Sequence, residues 1–298
     1  MISLRLNNEV FKMTYAYHSN IRLGLVSLMV NQLDKMTDFY TKTIGFSILN
    51  QTNHKTVLTT DGQTAFLELV QSQSPRQITY GLYHTAILVP NRYDLGLALH
   101  HLISNGVPLE GAADHGYSEA IYLSDPEGNG IEIYRDKETS YWDIREDGRI
   151  IGVTEPMDAQ SMLDSLSEIP AHFKLSEKTI LGHVHLSVKD ALSSSQLYQK
   201  VFDMGDKMTI PTASWIASGQ YHHHLAFNHW AGPNLKAHPV GIPGLNFITI
   251  EFSDSILFAA SLKKAILYGL PIVEKSENQF TLQDSDGIIT KVILVSKA

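Results

Sequence analysis

Apolar residues recur along the chain in four strings that begin alike and have the same length. Each string is rich in Val, Ile, Leu or Phe, which is typical of buried strands. The four strings occupy residues 23–30, 82–89, 181–188 and 245–252. After each string the apolar positions change to the spacing of an amphipathic helix. This spacing predicts helices at 33–44, 93–104, 191–202 and 255–268.

Short apolar stretches separated by turn signals complete each unit. In the second unit, residues 120–123 and 131–134 are predicted to be strands on either side of the turn at 125–130. Each unit is therefore a strand, a helix and about three further strands, and the unit is repeated along the chain. The repetition predicts an α+β fold built from four βαβββ modules.

A charged stretch between Lys137 and Lys178 interrupts the repeats. It is predicted to contain one helix at 156–166, because Pro156 suits a first helical turn. We therefore divide the chain into an N-terminal pair of modules at 20–140, a connecting segment at 141–178 and a C-terminal pair at 179–298.

Charge and composition restrict the chemistry. The net charge of −8 argues against a nucleic-acid partner, since phosphate binding needs clustered Lys and Arg. The chain has no cysteine, which excludes disulfides and thiolate metal sites. Any transition metal would have to be held by histidine and carboxylate side chains.

No targeting or membrane segment is apparent in the sequence. The first 20 residues have no long apolar core and do not resemble a signal peptide. No apolar run approaches the roughly 20 residues of a membrane helix. We expect a cytoplasmic protein with no membrane partner, and the sequence leaves a homo-oligomer open.

Two histidines occupy the same place in two of the repeats. His84 and His183 are each the third residue of their apolar string, where the first and fourth repeats have Leu25 and either Asn246 or Phe247. Glu132 alternates with Ile131 and Ile133 on the last strand of the second repeat, so its side chain would face the opposite way. A single such histidine is more often a core or surface residue. The matching positions favour a metal site of two histidines and one carboxylate, which suits Fe(II) and also Zn(II) or Mn(II).

A histidine triplet at 222–224 precedes an apolar stretch. On a strand, His222 and His224 would face one way and His223 the other. Imidazole titrates near neutral pH, so one face could supply an acid or base beside the metal. The alternative is a solvated strand with no catalytic part. His115 and Tyr122 flank the third strand of the second repeat. Both could donate hydrogen bonds to a bound oxygenated ligand.

The four repeats, together with the segment 120–136, resemble the vicinal oxygen chelate superfamily, which includes glyoxalase I, extradiol dioxygenases and small drug-resistance proteins. The resemblance covers residues from about 22 to 295, and it implies two half-barrel cups. The segment 221–230 is similar to catechol 2,3-dioxygenases of Gram-positive bacteria. By position, the resemblance implies that the metal ligands are His84, Glu132 and His183, and that the catalytic residues are His223, Tyr122 and His115. The spacing of His115 from Tyr122 is shorter than in better-known members.

The family resemblance implies an Fe(II)-dependent extradiol dioxygenase that cleaves a catechol with O₂. A glyoxalase-type lyase or isomerase and a metal-free protein that binds an aromatic drug are the alternatives. Many extradiol enzymes take their ligands from the third and fourth repeats, but here the second and third carry them. We therefore predict that repeat two pairs with repeat three around the metal, and that repeat one pairs with repeat four around an empty cup.

Overall fold

A computed structural model describes residues 15–295 of the chain. The predicted modules are all present, and each begins with the apolar string found in the sequence. The N-terminal modules comprise β1 Ile21–Val30, α1 Leu33–Asp38 with a π-helical continuation Phe39–Ile44, β2 Ser47–Thr52, β3 Lys55–Thr59, β4 Leu67–Gln71, β5 Gly81–Leu88, α2 Arg92–Ser104, β6 Gly111–Asp114, β7 Ser118–Ser124 and β8 Gly130–Asp136.

The C-terminal modules repeat this order after a connecting segment. The segment contains β9 Asp143–Ile144, β10 Ile150–Ile151, β11 Glu155–Pro156 and α3 Ala159–Asp164. The modules comprise β12 Ile180–Ser187, α4 Ala191–Phe202, β13 Gly205–Ile210, β14 Ala213–Ala217, β15 Leu225–Asn228, β16 Gly244–Phe252, α5 Ser255–Leu267, β17 Ile272–Lys275, β18 Gln279–Gln283 and β19 Ile289–Leu294. Single 3₁₀ turns cover Ala16–His18 and Thr139–Tyr141.

The connecting helix is shorter than the sequence predicts. Pro156 does not begin it, because β11 pairs with β6 and Pro156 lies opposite Ala113. The helix begins after Asp158, whose side chain accepts a hydrogen bond from the backbone N–H of Ser161. An acidic cap of this kind satisfies one of the free N–H groups at a helix start.

Two large sheets combine modules from both halves of the sequence. One has nine strands in the order β11-β6-β7-β8-β5-β12-β15-β14-β13, and the other has eight in the order β17-β18-β19-β16-β1-β4-β3-β2. The predicted pairing of repeat two with three and of repeat one with four is therefore confirmed. The α+β architecture is confirmed as well. The division into sequence halves at 20–140 and 179–298 stays a prediction. Whatever the sequence predicts for residues 1–14 and 296–298 concerns positions outside the described residues.

Buried tyrosines form hydrogen bonds between modules that do not share a sheet. The Tyr40 hydroxyl, on the helix of module one, donates to Asp125 Oδ2 in a turn of module two at 3.0 Å. The Tyr198 hydroxyl, on the helix of module three, donates to Asp284 Oδ2 in module four at 3.2 Å. Hydrogen bonds thus link modules one to two and three to four, while strands link the other pairs. No helix in the described part of the chain combines the length and apolarity needed to cross a membrane.

Replacing Asp284 with asparagine should stabilise the protein at alkaline pH. Burial raises the pKa of Asp284 to about 6, so part of the folding free energy is lost as the pH rises from the unfolded-state value through 6. In Asp284→Asn, Oδ1 can still accept from the N–H groups of Asp286 and Ile288. We expect a gain of about 2 to 3 kcal/mol near pH 8, declining to nothing near pH 4, in urea unfolding curves. An equal gain at both pH values would contradict the assigned cause.

Candidate metal centre

The side chains that the sequence predicts as metal ligands point at one common centre. Nε2 of His84 and Nε2 of His183 lie 3.0 Å and 2.9 Å from Oε2 of Glu132. The two Nε2 atoms are 3.3 Å apart. All three residues are buried, with exposed fractions of 6% for His84, 3% for Glu132 and 2% for His183. Within residues 15–295 this is the one such group of three or more candidate ligands.

Three neighbouring strands of the nine-stranded sheet bring these side chains together. In the parallel pair β5 and β8, Glu132 lies opposite Ala86, two residues beyond His84. In the antiparallel pair β5 and β12, Ala86 lies opposite His183. Successive side chains alternate across a sheet, so residues two apart share a face. The three groups therefore project from one side of the sheet at its centre.

The donor set fits a divalent transition metal. Two imidazole nitrogens and a carboxylate oxygen are ligands that Fe(II), Zn(II) and Mn(II) all accept. Burial disfavours the charge on Glu132, but His183 and His84 outweigh it and hold the pKa of the carboxyl well below its usual range. Burial lowers the pKa of His183 to about 4, so this ring is neutral at neutral pH. An ionised carboxylate and a neutral imidazole are the forms that coordinate a metal.

A cavity of about 1000 Å³ opens onto this group. The other predicted site residues line the same cavity: His223, Tyr122 and His115. Burial and the neighbouring Glu132 raise the pKa of the Tyr122 hydroxyl well above its usual value, so it stays protonated. Burial also holds the pKa of His223 well below its usual value, and that ring is neutral. The structure thus gathers all six predicted residues around one space.

Hydrogen bonds define the orientation of the Tyr122 hydroxyl. The Val153 carbonyl oxygen lies 2.7 Å from His115 Nδ1, and a carbonyl only accepts, so Nδ1 of His115 carries the proton. Nε2 of the same ring lies within hydrogen-bond distance of the Tyr122 hydroxyl, at 2.7 Å. The short sequence spacing between these residues suffices because a tight turn at 115–117 separates β6 from β7.

The histidine triplet does not lie on a strand, contrary to the sequence-based expectation. Residues 221–224 form a bend, and β15 begins only at Leu225. The predicted strand is therefore wrong at these residues, but His223 still lies on a different side from His222 and His224, as predicted. His223 alone of the triplet lines the cavity beside the metal group. His222 contacts Asp136, and His224 lines a separate cavity of about 370 Å³. All three are buried, which excludes the solvated-strand alternative.

Several residues of the cavity wall were not predicted from the sequence. His185 is buried, its ring centre lies 4.9 Å from that of His84, and its Nε2 accepts from the Asn228 amide at 3.0 Å. The Trp230 ring lies 5.4 Å from the His185 ring. His185 stands two residues after His183 in the same string, so strand alternation alone could have placed it on the cavity face. Trp230 lies in a loop, where no periodic signal exists.

Comparison with known proteins places the chain in a family. A family profile described as the glyoxalase/bleomycin resistance protein/dioxygenase superfamily matches residues 22–133. The chain is 35% identical over 286 residues to a protein of Bacillus subtilis named catechol-2,3-dioxygenase, covering 93% of this chain and 99% of that protein. The chain belongs to this superfamily. A second relative, from Rhodococcus globerulus and named biphenyl-2,3-diol 1,2-dioxygenase 3, is 30% identical over 39% of this chain and 63% of its own length.

A solved structure supports the superfamily fold. The crystal structure of a protein described as a putative dioxygenase of Bacillus subtilis has a TM-score of 0.66 with this chain. It covers 94% of this chain and 87% of that structure at 11% sequence identity. At this level of identity the similarity concerns the fold alone.

The cup formed by repeats one and four has a carboxylate at the position equivalent to Glu132, but no histidine at the positions equivalent to His84 and His183. Glu68 lies opposite Ser27 on β1 as Glu132 lies opposite Ala86 on β5, and Ser27 and Ala86 are each fifth in their strings. Lys55 pairs with Glu68 at 3.0 Å, and the Ser27 hydroxyl donates to it at 2.8 Å. The two histidine positions hold residues that cannot coordinate a metal, Leu25 and Phe247. The carboxylate is thus paired with a lysine, and among residues 15–295 this cup has no group of three candidate ligands.

Proposed function

We propose that this protein is an Fe(II)-dependent extradiol dioxygenase that cleaves catechol-type aromatics. Catechol and O₂ would give a product of the 2-hydroxymuconate semialdehyde type, with both oxygen atoms retained. The observation that carries the proposal is the buried group of His84, Glu132 and His183 facing a cavity lined by His223. The names of the two relatives, both dioxygenases of vicinal aromatic diols, support the same reaction class.

His84, His183 and Glu132 would hold the metal. When bound there, Fe(II) would bring a catechol and O₂ together and let charge pass between them. His223 would accept a proton from a catechol hydroxyl, since its ring is neutral and lines the cavity. The Tyr122 hydroxyl, held by His115, would orient the ring and exclude water from that side.

The ligand count favours this reaction over the alternatives. A glyoxalase-type lyase would need a fourth protein ligand that acts as a base, and the group within residues 15–295 has three members. A metal-free binding protein would not need a buried carboxylate between two imidazoles, because burying such groups costs free energy. Iron as the metal, a homo-oligomeric state and cytoplasmic location stay predictions.

The decisive measurement is oxygen uptake by the reduced, iron-loaded protein with a panel of catechols. We expect one O₂ consumed per catechol and a yellow ring-opened product. Protein loaded with Zn(II), which has no redox chemistry, is the matched control and should consume no oxygen. Stoichiometric bound iron without oxygen uptake on any catechol would refute the proposal, and methylglyoxal with glutathione would then test the lyase alternative.

A further inference from the structure

A buried chain of hydrogen bonds leads from His223 away from the cavity. His223 Nδ1 lies 2.8 Å from His222 Nδ1, and His222 Nε2 lies 2.8 Å from Asp136 Oδ1. Neither hydrogen bond involves the candidate ligands His84, Glu132 and His183. Asp136 ends β8, four residues after Glu132. The chain of bonds therefore joins the strand that carries a candidate metal ligand to the bend that carries the candidate base.

The Asp136 carboxylate sets the order of donors and acceptors along these hydrogen bonds when the His222 ring carries one proton. A carboxylate only accepts hydrogen bonds, so Nε2 of His222 must carry a proton. In a neutral ring the other nitrogen, Nδ1, is then an acceptor. With a single proton on the His222 ring, Nδ1 of His223 donates and the lone pair of His223 resides on Nε2. Within the described residues Nε2 of His223 has no protein partner, and its ring lines the cavity.

The surroundings keep this arrangement rigid. The His222 ring is 1% exposed, and it stacks on Tyr117 with ring centres 4.3 Å apart and an angle of 14°. Asp136 receives a second hydrogen bond on Oδ2 from the Tyr17 hydroxyl at 3.1 Å. The Tyr221 hydroxyl approaches Oδ1 at 3.5 Å. The carboxylate is thus surrounded by donors, and the His222 ring cannot turn without losing its stack.

We propose that Asp136 and His222 are positioning residues that fix His223 as the tautomer with its proton on Nδ1 and its lone pair on Nε2 toward the cavity. The inference rests on the proposed function for its catalytic consequence, although the tautomer itself is independent of the reaction. A base whose lone pair already faces the substrate avoids the cost of choosing between two tautomers in each turnover.

Nitrogen chemical shifts of the histidine rings test the tautomer without turnover. Long-range proton–nitrogen spectra of the ¹⁵N-histidine-labelled, chelator-treated protein report which ring nitrogen is protonated, and His223→Ala identifies the His223 signals. We expect the Nδ1–H tautomer in the wild-type protein and an averaged mixture in His222→Phe, which keeps the stack on Tyr117 but has no ring nitrogen. A wild-type ring protonated on Nε2 would overturn the proposal whether or not the protein cleaves catechols.

Kinetics on the iron-loaded protein test the consequence. We expect His222→Phe and Asp136→Leu to lower kcat about 10- to 100-fold, a part of what general acid–base catalysis contributes, with KM changed less than about two-fold. His222→Gln should recover most of the lost kcat, because its amide can donate to Asp136 and accept from His223. Unchanged kcat in His222→Phe, or equal losses in the Phe and Gln variants, would show that these residues only pack.

The His224→Asn variant separates positioning from general disturbance of the bend. His224 adjoins His223, but its side chain lines the other cavity and Nδ1 has no partner among the described residues. We expect the tautomer of His223 and the kcat to remain those of the wild type. A shift of the His223 signals in His224→Asn would attribute the tautomer to the shape of the bend and overturn the assignment to Asp136.

Discussion

Glu132→Gln should abolish stoichiometric metal binding while leaving the protein folded. The change removes the negative charge that faces His84 and His183 at 3.0 Å and 2.9 Å, but keeps the size of the side chain. Loss of residues that only support ligands typically lowers metal affinity about 10- to 100-fold, so loss of a charged ligand should exceed about 100-fold. Elemental analysis after gel filtration and oxygen uptake with catechol should both fall to background.

Glu68→Gln is the matched control for this experiment. Glu68 occupies the equivalent place in the other sheet, where Lys55 and Ser27 bind it. It has the same chemistry and the same position within its module, but no histidine beside it. We expect metal content and oxygen uptake to remain at wild-type levels. Equal metal loss in both variants would mean that the metal is not held by the cup of repeats two and three.

The pairing of the modules could be predicted because the repeats carry different residues at equivalent positions. The third place of each string holds His84, His183, Leu25 or Phe247. A metal needs several ligands at one point, so the two modules with histidine had to meet. Strand order in the nine-stranded sheet confirms this pairing. Internal repetition thus supplied information on distant contacts that a single module could not have supplied.

The support of His223 could not be predicted, for a physical reason. Strand alternation predicts side-chain directions only where the backbone is extended, and residues 221–224 form a bend. The partner of His222 is Asp136, 86 residues away in the chain. Nothing local marks Asp136 as different from other carboxylates at strand ends. Side-chain contacts between loops and strands depend on the assembled sheet, and only the structure provides them.

His223→Ala should keep the metal and lose turnover. The His223 ring packs on His183 with ring centres 4.1 Å apart but is not a member of the group of three candidate ligands. Removing a general acid–base residue typically lowers kcat about 100- to 10,000-fold. We expect a loss in this range in steady-state assays with catechol. Iron content should stay near that of the wild-type protein.

The two readouts of this variant separate a base from a ligand. His183→Ala removes the candidate ligand whose ring contacts that of His223, and this variant should lose both iron and turnover. His223→Ala should lose turnover alone. Loss of iron in His223→Ala would make the triplet part of the coordination sphere and contradict its role as a base. Retention of both iron and wild-type kcat would instead assign proton transfer to another group lining the cavity, such as Tyr122 or His115.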